Sequence, residues 1–307
     1  MVSPDGVLVV DKPTGWTSHD VVARVRRLAG TRKVGHAGTL DPLATGVLPI
    51  ALGEATKTVP HLVDASKAYR FTIAWGSSTT TDDREGEVTA TSEVRPARAQ
   101  VEAVLPRFIG EIQQTPPAFS AIKVAGERAY NLARAGAAPE LSARAVTILT
   151  ARVSGVPDAD HVQIEIDSGK GTYVRALARD LAQALGTRGH VSELRRTRVG
   201  RFEEESAVTL AKLEELVYEG RGSEALLPVE TALDGIPALA LTQEEAFRLK
   251  QGRSVVLLPR QVETLLPQFV EGSRTVSAVG SKGIVALCEM RAGRLEPVRV
   301  FNLDAGD

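Results

Sequence analysis

The chain has 307 residues, of which 43% are hydrophobic and 24% charged, so it is long enough for about two globular domains and is not a disordered sequence. Its 37 Lys and Arg residues against 38 Asp and Glu residues give a net charge of −1, so a polyanion would have to be bound by local basic clusters. A single cysteine, Cys288, excludes a disulfide framework, and we find neither an apolar run of membrane length nor a signal-peptide pattern. These features predict a cytoplasmic protein.

The first 33 residues predict a strand, a turn and a helix. The apolar run 7–10 ends in the turn-forming stretch 11–15. Thr17 and Asp20 have the spacing of a capping box, and apolar residues then recur at helical spacing as far as Gly30. A run of basic residues begins in the second half of this helix and continues just beyond it. Its default interpretation is a solvated helix face, and the alternative is a ridge that contacts phosphates. The run consists of Arg24, Arg26, Arg27, Arg32 and Lys33.

Residues 35–48 form the most unusual stretch of the chain. Three glycines and a proline there predict a shaped loop, and Pro42 favours an extended backbone at Asp41. The loop therefore presents an aspartate, although a turn residue that bonds its own backbone explains Asp41 equally well.

The remaining elements alternate between strands and helices. Strand periodicity runs from Tyr69 to Trp75 and is followed by a polar stretch, 76–87, that predicts a long turn. Helical segments are predicted at 101–109, 174–185, 209–217 and 242–251, and strands at 162–166, 276–279, 284–288 and 298–301. Five arginines face one acid between 188 and 201, which makes a second basic patch, and the turn-rich stretch 228–237 predicts a domain boundary.

Several common catalytic sites are excluded by their motifs. In the stretch 169–172 the lysine is followed by glycine, unlike a phosphate-binding loop, and the five histidines lack metal-ligand spacing. No Gly-x-Ser-x-Gly elbow occurs. The residues alone thus predict an α/β protein that binds RNA or DNA.

Five motifs resemble those of the TruB family of pseudouridine synthases, in that family's order and spacing. They are GVLVVDKPTGWTS at 6–18, GHAGTLDP at 35–42, KAYR at 67–70, GKGTYVR at 169–175 and HVSELRR at 190–196. The tail, 238–303, is similar to a PUA RNA-binding domain, although the stretch 257–273 fits that pattern poorly.

The resemblance implies an α+β fold. A mixed or antiparallel β-sheet with flanking helices would form a catalytic domain over 1–235, with an insertion at about 116–136 that contacts RNA. A small β-rich PUA-like domain would follow over 238–303. The implied reaction isomerises uridine to pseudouridine at position 55 in the T-loop of tRNA, without a metal or other cofactor. The implied partner is the tRNA T-stem-loop, and we expect a monomer without an obligate protein partner.

The resemblance also implies roles for individual residues. Asp41 would be the nucleophile inside an otherwise neutral cavity, Arg175 would keep it ionised, and Tyr69 would stack on the target ring and handle its C5 proton. His36, Tyr173 and Leu194 would surround the flipped nucleotide, and Lys12 and Pro13 would support the pocket. The RNA-contact candidates are Arg24, Arg26, Arg27, Lys33, Lys123, Arg128, Arg195 and Arg196.

Two other functions remain open at this point. A tRNA-folding chaperone would need the basic residues but not Asp41. A guide-RNA-dependent relative that acts on ribosomal RNA would be inactive on bare tRNA, and the absence of a long lysine-rich tail counts against it.

Overall fold

The computed structural model describes residues 5–120, 123–124, 127–128, 141–269 and 273–303, and side chains between 121 and 140 lie outside that description. The strands are β1 Gly6–Lys12, β2 Val34–His36, β3 Thr45–Leu52, β4 Lys67–Trp75, β5 Ser77–Thr79, β6 Val88–Thr91, β7 Gly110–Gln114, β8 Lys123–Val124, β9 Glu127–Arg128, β10 Arg144–Asp158, β11 His161–Ser168, β12 Gly189–Val199, β13 Phe202–Glu203, β14 Val208–Thr209, β15 Ala238–Ala240, β16 Val255–Val256, β17 Thr275–Gly280, β18 Gly283–Arg291 and β19 Arg294–Val300. The α-helices are α1 Ser18–Ala29, α2 Val59–Asp64, α3 Arg98–Val104, α4 Val174–Ala184, α5 Leu210–Tyr218, α6 Gln243–Lys250 and α7 Pro259–Leu265. None of these described helices is long and apolar enough to cross a membrane.

One large mixed sheet forms the framework of the molecule. Its strand order is β14-β1-β3-β12-β4-β11-β10-β7, with β2 paired to β3 and β13 paired to β12. The pairs β1–β14 and β3–β12 are parallel, and the remaining pairs are antiparallel. A second sheet, β15-β17-β18-β19-β16, lies in the C-terminal part. The predicted α+β class, with a separate β-rich C-terminal part, is confirmed.

The large sheet is covered on both faces around β1 and β3. Leu8 and Val10 of β1 pack in a core with α1, α4 and α5, whereas Val7 and Val9 pack in a second core. Successive side chains of a strand point to opposite faces, so a run of four apolar residues marks a strand buried on both sides.

The C-terminal part supplies the other side of that second core. Ile284 and Leu287 of β18 pack there with Val229 and Leu233, as does Phe301, which directly follows β19. The segment predicted as a boundary is therefore packed into this core and is not an exposed linker. The division into domains 1–235 and 238–303 stays a prediction, because the two parts share apolar contacts.

Most predicted elements form where the pattern placed them. Helix α1 has the predicted capping box between Thr17 and Asp20, and it ends at Gly30 in the left-handed conformation with φ of 63°. The helix predicted at 101–109 instead spans Arg98–Val104 and continues as a 3-10 turn around Pro106, whose ring nitrogen cannot donate a helical hydrogen bond.

Several elements escaped the sequence analysis, among them strands β3 and β7 and helix α2. β10 was not predicted, and β12 appeared only as a run of arginines, because its buried apolar residues Val191, Leu194 and Val199 are three and five positions apart. Two register shifts in its pairing with β4 break the period of two. The poorly matching stretch 257–273 contains helix α7.

Phe301→Ala should lower the free energy of unfolding by about 3–5 kcal/mol, because the ring is fully buried in the core shared by both parts. Urea unfolding followed by circular dichroism measures the change. Val298→Ala, at a position 52% exposed, should change stability by less than about 0.5 kcal/mol. An effect of Phe301→Ala confined to a separate C-terminal transition would show that the shared core does not couple the two parts.

Candidate active site

Three elements bring the site together. The β2–β3 loop carries Asp41, the first turn of α4 carries Arg175, and β4 carries Tyr69. At the start of α1, the Ser18 hydroxyl donates to the Leu40 carbonyl at 3.2 Å and accepts the Leu40 N–H at 2.9 Å. The residue before Asp41 is thus fixed to α1 by two hydrogen bonds.

Asp41 and Arg175 form a two-point ion pair. The Arg175 Nε lies 2.9 Å from Asp41 Oδ2, and Nη2 donates to Oδ1 at 3.1 Å. Two parallel charge-assisted bonds set the orientation of the carboxylate as well as its distance. The Arg175 side chain is 5% exposed and that of Asp41 35%, so the pair leaves the carboxylate accessible to a ligand.

Arg175 is held from its other sides as well. Nη1 donates to the Thr81 carbonyl at 2.8 Å, Nη2 donates to the Phe119 carbonyl at 2.9 Å, and Nη1 lies 3.5 Å from the buried Asp83 carboxylate. Asp83 in turn accepts the Glu85 N–H at 3.0 Å. Every guanidinium nitrogen has a partner, which is the condition under which a buried arginine is tolerated.

Sequence analysis missed Asp83, because the stretch 76–87 predicted only a turn. The structure shows that Arg179, one helical turn after Arg175, pairs with the neighbouring Asp82 at 2.8 Å. Two adjacent acids thus meet two arginines at i and i+4 on α4. The available signal was the combination of two arginines four residues apart, Arg175 and Arg179, with two adjacent aspartates, Asp82 and Asp83, in another part of the chain.

The expectation of an otherwise neutral cavity around Asp41 was wrong. Lys12, Asp83 and Glu85 are charged residues that all lie near it. Partial desolvation raises the pKa of Glu85, and the negative charges of Asp83 and Asp41 raise that pKa further. Asp41 therefore belongs to a network of alternating charges, which the sequence did not show because these residues come from separate loops.

Lys12, for which the resemblance implies a supporting role, hydrogen-bonds three backbone carbonyls. Its ammonium donates to the carbonyls of Pro13 at 2.9 Å, Trp16 at 2.6 Å and Pro42 at 3.3 Å. Burial lowers the pKa of Lys12 to about 8, whereas the charge of Asp41 acts in the opposite direction. Lys12 joins the loop after β1 to the loop that carries Asp41, and half-buried Pro13 contributes its carbonyl to this junction.

Arg196 was predicted to contact RNA, and that prediction was wrong. Its side chain is fully buried, with Nε donating to the Val47 carbonyl at 2.8 Å and Nη2 to the Gly38 carbonyl at 3.1 Å. Burial lowers the pKa of Arg196, while Tyr69 and Asp41 act in the opposite direction. Half-buried Tyr69 is the register partner of Arg196 on β4, so Arg196 braces the Asp41 loop from beside Tyr69.

Tyr173 immediately precedes α4 and lies near Asp41. Burial raises the pKa of the Tyr173 hydroxyl, and the charge of Asp41 adds to this effect. The Tyr173 N–H donates to Oε1 of Gln114 at 2.8 Å. Gln114 is buried at the end of β7, and its Nε2 has no hydrogen-bond partner among the described residues. Sequence analysis did not identify Gln114, a polar residue in a short strand with no motif around it.

His36 and Leu194 lie in different environments. His36 is half-buried at the end of β2, where its ring meets that of His19 edge to face at 5.6 Å, and burial lowers its pKa. Leu194 is buried and packs in the main core on β12 opposite Phe71. Their proposed contacts with a flipped nucleotide stay predictions.

Internal ion pairs occupy several of the basic candidates. Arg24 pairs with Glu214 at 2.7 Å, and Arg195 pairs with Asp11 at 3.0 Å and Glu204 at 2.7 Å. The second arginine patch is therefore largely structural. A count of charges along the sequence did not show this, because it does not reveal which acidic residues, such as Asp11, pair with these arginines. Arg26 and Arg27 are exposed, as is Lys33 despite a contact of 3.4 Å to Glu54. The side chains of Lys123 and Arg128, and most of the predicted insertion 116–136, lie outside the described residues.

Comparison with known proteins agrees with this geometry. A family model described as "TruB family pseudouridylate synthase (N terminal domain)" matches residues 26–174, and one described as "tRNA pseudouridylate synthase B C-terminal domain" matches 175–234. A tRNA pseudouridine synthase B of Caulobacter vibrioides is 67% identical over 97% of this chain and 96% of its own length. The chain belongs to the TruB family of pseudouridylate synthases. It is therefore an isomerase, and its resemblance to that family is confirmed.

More distant relatives share the fold of this TruB-family chain. A tRNA pseudouridine synthase B of Rhodospirillum rubrum is 51% identical over 97% of the chain and 96% of its own length. Among solved structures, a chain from a Cbf5-Nop10-Gar1 complex superposes with a TM-score of 0.74 at 27% identity, covering 97% of this chain and 85% of the other.

Among the described residues, no group of three or more His, Cys, Asp and Glu side chains is arranged to hold a metal ion.

Gln114→Leu should lower the free energy of unfolding by about 1–2 kcal/mol, because it removes the acceptor of the Tyr173 N–H at the start of α4. We also expect slower turnover, since α4 carries Arg175. Gln113→Leu, at the exposed neighbouring position on the same strand, is the matched control. Unfolding curves and single-turnover rates measure both effects, and equal behaviour of the two variants would rule out the positioning role of Gln114.

Proposed function

We propose that this protein converts uridine 55 in the T-loop of tRNA into pseudouridine, with Asp41 as the attacking group. The observation that carries the proposal is the two-point pair between partly exposed Asp41 and buried Arg175. The tRNA substrate is supported by relatives that are 67% and 66% identical and are named tRNA pseudouridine synthase B.

The reaction exchanges one bond of the nucleoside for another. The N1–C1′ bond breaks, the detached ring turns, and a bond forms between C1′ and C5, after which C5 loses its proton and N1 takes one up. An ionised carboxylate can attack C1′ of the ribose or C6 of the uracil, and the bond it forms breaks again before product leaves, which regenerates the free carboxylate. Arg175 lies at hydrogen-bond distance from both oxygens of Asp41 and so fixes the orientation of the attacking carboxylate.

The target uridine must leave its stack before Asp41 can reach it. Flipping a stacked base costs a few kcal/mol, and stacking on an aromatic ring recovers about 1–3 kcal/mol of this. Tyr69 is the candidate for that ring and for accepting the C5 proton. Tyr173 borders the same site and interacts electrostatically with Asp41, whereas the contact of His36 with the flipped nucleotide is expected from the resemblance alone.

The enzyme is expected to act in the cytoplasm as a monomer, without a protein partner or guide RNA. The similar chain at 27% identity comes from a Cbf5-Nop10-Gar1 complex, so a mode of action that needs further components is the alternative. Activity of the purified protein on a bare tRNA transcript would exclude this mode for the present chain. A chaperone role would be indicated if a variant that lacks the Asp41 carboxylate, and so forms no pseudouridine, still promoted correct folding of tRNA.

Asp41→Asn should abolish product formation while tRNA binding survives. The change removes the nucleophilic charge with little change in shape, and Arg175 keeps its contacts with Asp83 and the carbonyls of Thr81 and Phe119. Release of tritium from C5-tritiated tRNA measures turnover, and carbodiimide mapping locates the modified base. A transcript with cytidine at position 55 tests the position.

The matched control is Asp234→Asn, at an exposed carboxylate that lies 3.7 Å from Arg201. It should retain full activity. Near wild-type turnover by Asp41→Asn would refute the catalytic assignment, and product on the position-55 cytidine transcript would refute the site of modification.

The double variant Arg26→Ala/Arg27→Ala should weaken tRNA binding and flatten its salt dependence. If each arginine neutralises one phosphate, the slope of log affinity against log salt should fall in magnitude by about 0.9 per residue. Arg221→Ala, which removes an arginine paired with Glu219 and Glu224, should leave the slope unchanged. Filter binding across a salt series measures the slopes, and an unaltered slope in the double variant would place RNA elsewhere.

A further inference from the structure

The short loop between β1 and α1 exposes a large aromatic side chain beside the site. Trp16 is 38% exposed, whereas Trp75, the other tryptophan of the chain, is 5% exposed. Aromatic residues make up only 4% of the sequence, so an accessible indole next to the Asp41 loop is unusual for this chain.

The loop is rigidly tied to the segment that carries Asp41. The buried Lys12 ammonium donates to the Trp16 carbonyl at 2.6 Å and to the Pro42 carbonyl at 3.3 Å. The Gly15 N–H also donates to the Pro42 carbonyl, at 2.8 Å. Pro42 directly follows Asp41, so the backbone of Trp16 is held at a set position relative to the attacking carboxylate.

We propose that the Trp16 indole is a stacking platform for an unpaired nucleobase next to the target uridine in the RNA. When the uridine leaves the stack, its neighbour loses one stacking partner, and an aromatic ring can replace it whatever the base, because every base has a π face. A ring that is already held in place adds this contact with little further ordering. The proposal rests on the proposed function only in that RNA is the substrate.

A purely structural role for Trp16 makes a different prediction. Trp16 precedes the N-cap Thr17, and Val21 occupies the position that a hydrophobic staple would pair with it. A staple needs an apolar side chain but not a flat ring. Leucine at position 16 therefore preserves the staple and removes the stacking surface, while phenylalanine preserves both.

The first test compares Trp16→Leu and Trp16→Phe in binding and turnover of a T-stem-loop RNA. Trp16→Leu should weaken affinity by roughly 5- to 150-fold, the range that corresponds to about 1–3 kcal/mol per stacked base, at an unchanged unfolding midpoint. Trp16→Phe should restore most of the affinity. Tyr218→Leu, at a ring 94% exposed on α5, is the matched control and should bind like wild type.

The second test uses the fluorescence of Trp16 directly. Binding of the T-stem-loop should quench the wild-type emission, and Trp16→Phe, which leaves only buried Trp75, should show no such quenching. Replacing the nucleotide on one side of the target uridine by an abasic residue should remove the quenching and so identify the stacked base.

The results separate the two proposals. If the wild-type protein modifies the RNA but Trp16→Leu binds it normally, or if the RNA leaves the emission of Trp16 unchanged, the stacking platform is overturned and the proposed function stands. If the RNA is bound with quenching but never modified, the stacking platform stands and the proposed function fails.

Discussion

The site depends on keeping one guanidinium charged in the protein interior. Arg175 is almost fully buried, and it is tolerated there because two carboxylates and two carbonyls satisfy its nitrogens. Asp41, the more exposed of the two carboxylates, is the one that a ligand can reach. The neighbouring pair of Arg179 with Asp82 repeats the arrangement one turn along α4. The connection between β5 and β6, α4 and the Asp41 loop are therefore joined through these two arginines.

A second set of buried cations holds the Asp41 loop to the sheet. Lys12 binds the Trp16 carbonyl before α1 and the Pro42 carbonyl next to Asp41. Arg196 binds the Gly38 carbonyl of the Asp41 loop and the Val47 carbonyl of β3. Close packing completes the arrangement: Gly46 has φ of 100°, and a Cβ there would lie 2.2 Å from the Arg196 carbonyl oxygen. Basic residues in this protein thus divide into two groups. One group fixes loops from inside, and the other, with Arg26 and Arg27, faces solvent.

The C-terminal part is structurally tied to the catalytic sheet. Glu54 accepts the Asn302 N–H at 2.7 Å and pairs with Lys57, whose ammonium also donates to the Val300 carbonyl at 2.6 Å. These polar contacts border the apolar core that contains Phe301. The back of β1 and β3, which frame the site, is therefore covered by residues from the other end of the chain.

Local patterns in the sequence determined the strand–turn–helix of residues 6–30, the strand through Tyr69, helix α4 and, through the resemblance of five motifs, the pairing of Asp41 with Arg175. These features succeed because periodicity, caps and motifs are written in neighbouring residues. Only the tertiary structure decided that Asp83 shares Arg175, that Gln114 bonds Tyr173, that Arg195 pairs with Asp11, and that Arg196 is buried against carbonyls. Each of these contacts joins residues far apart in sequence. The residues next to a charged side chain in the sequence do not indicate which partner it will bind or on which face of a sheet it will lie.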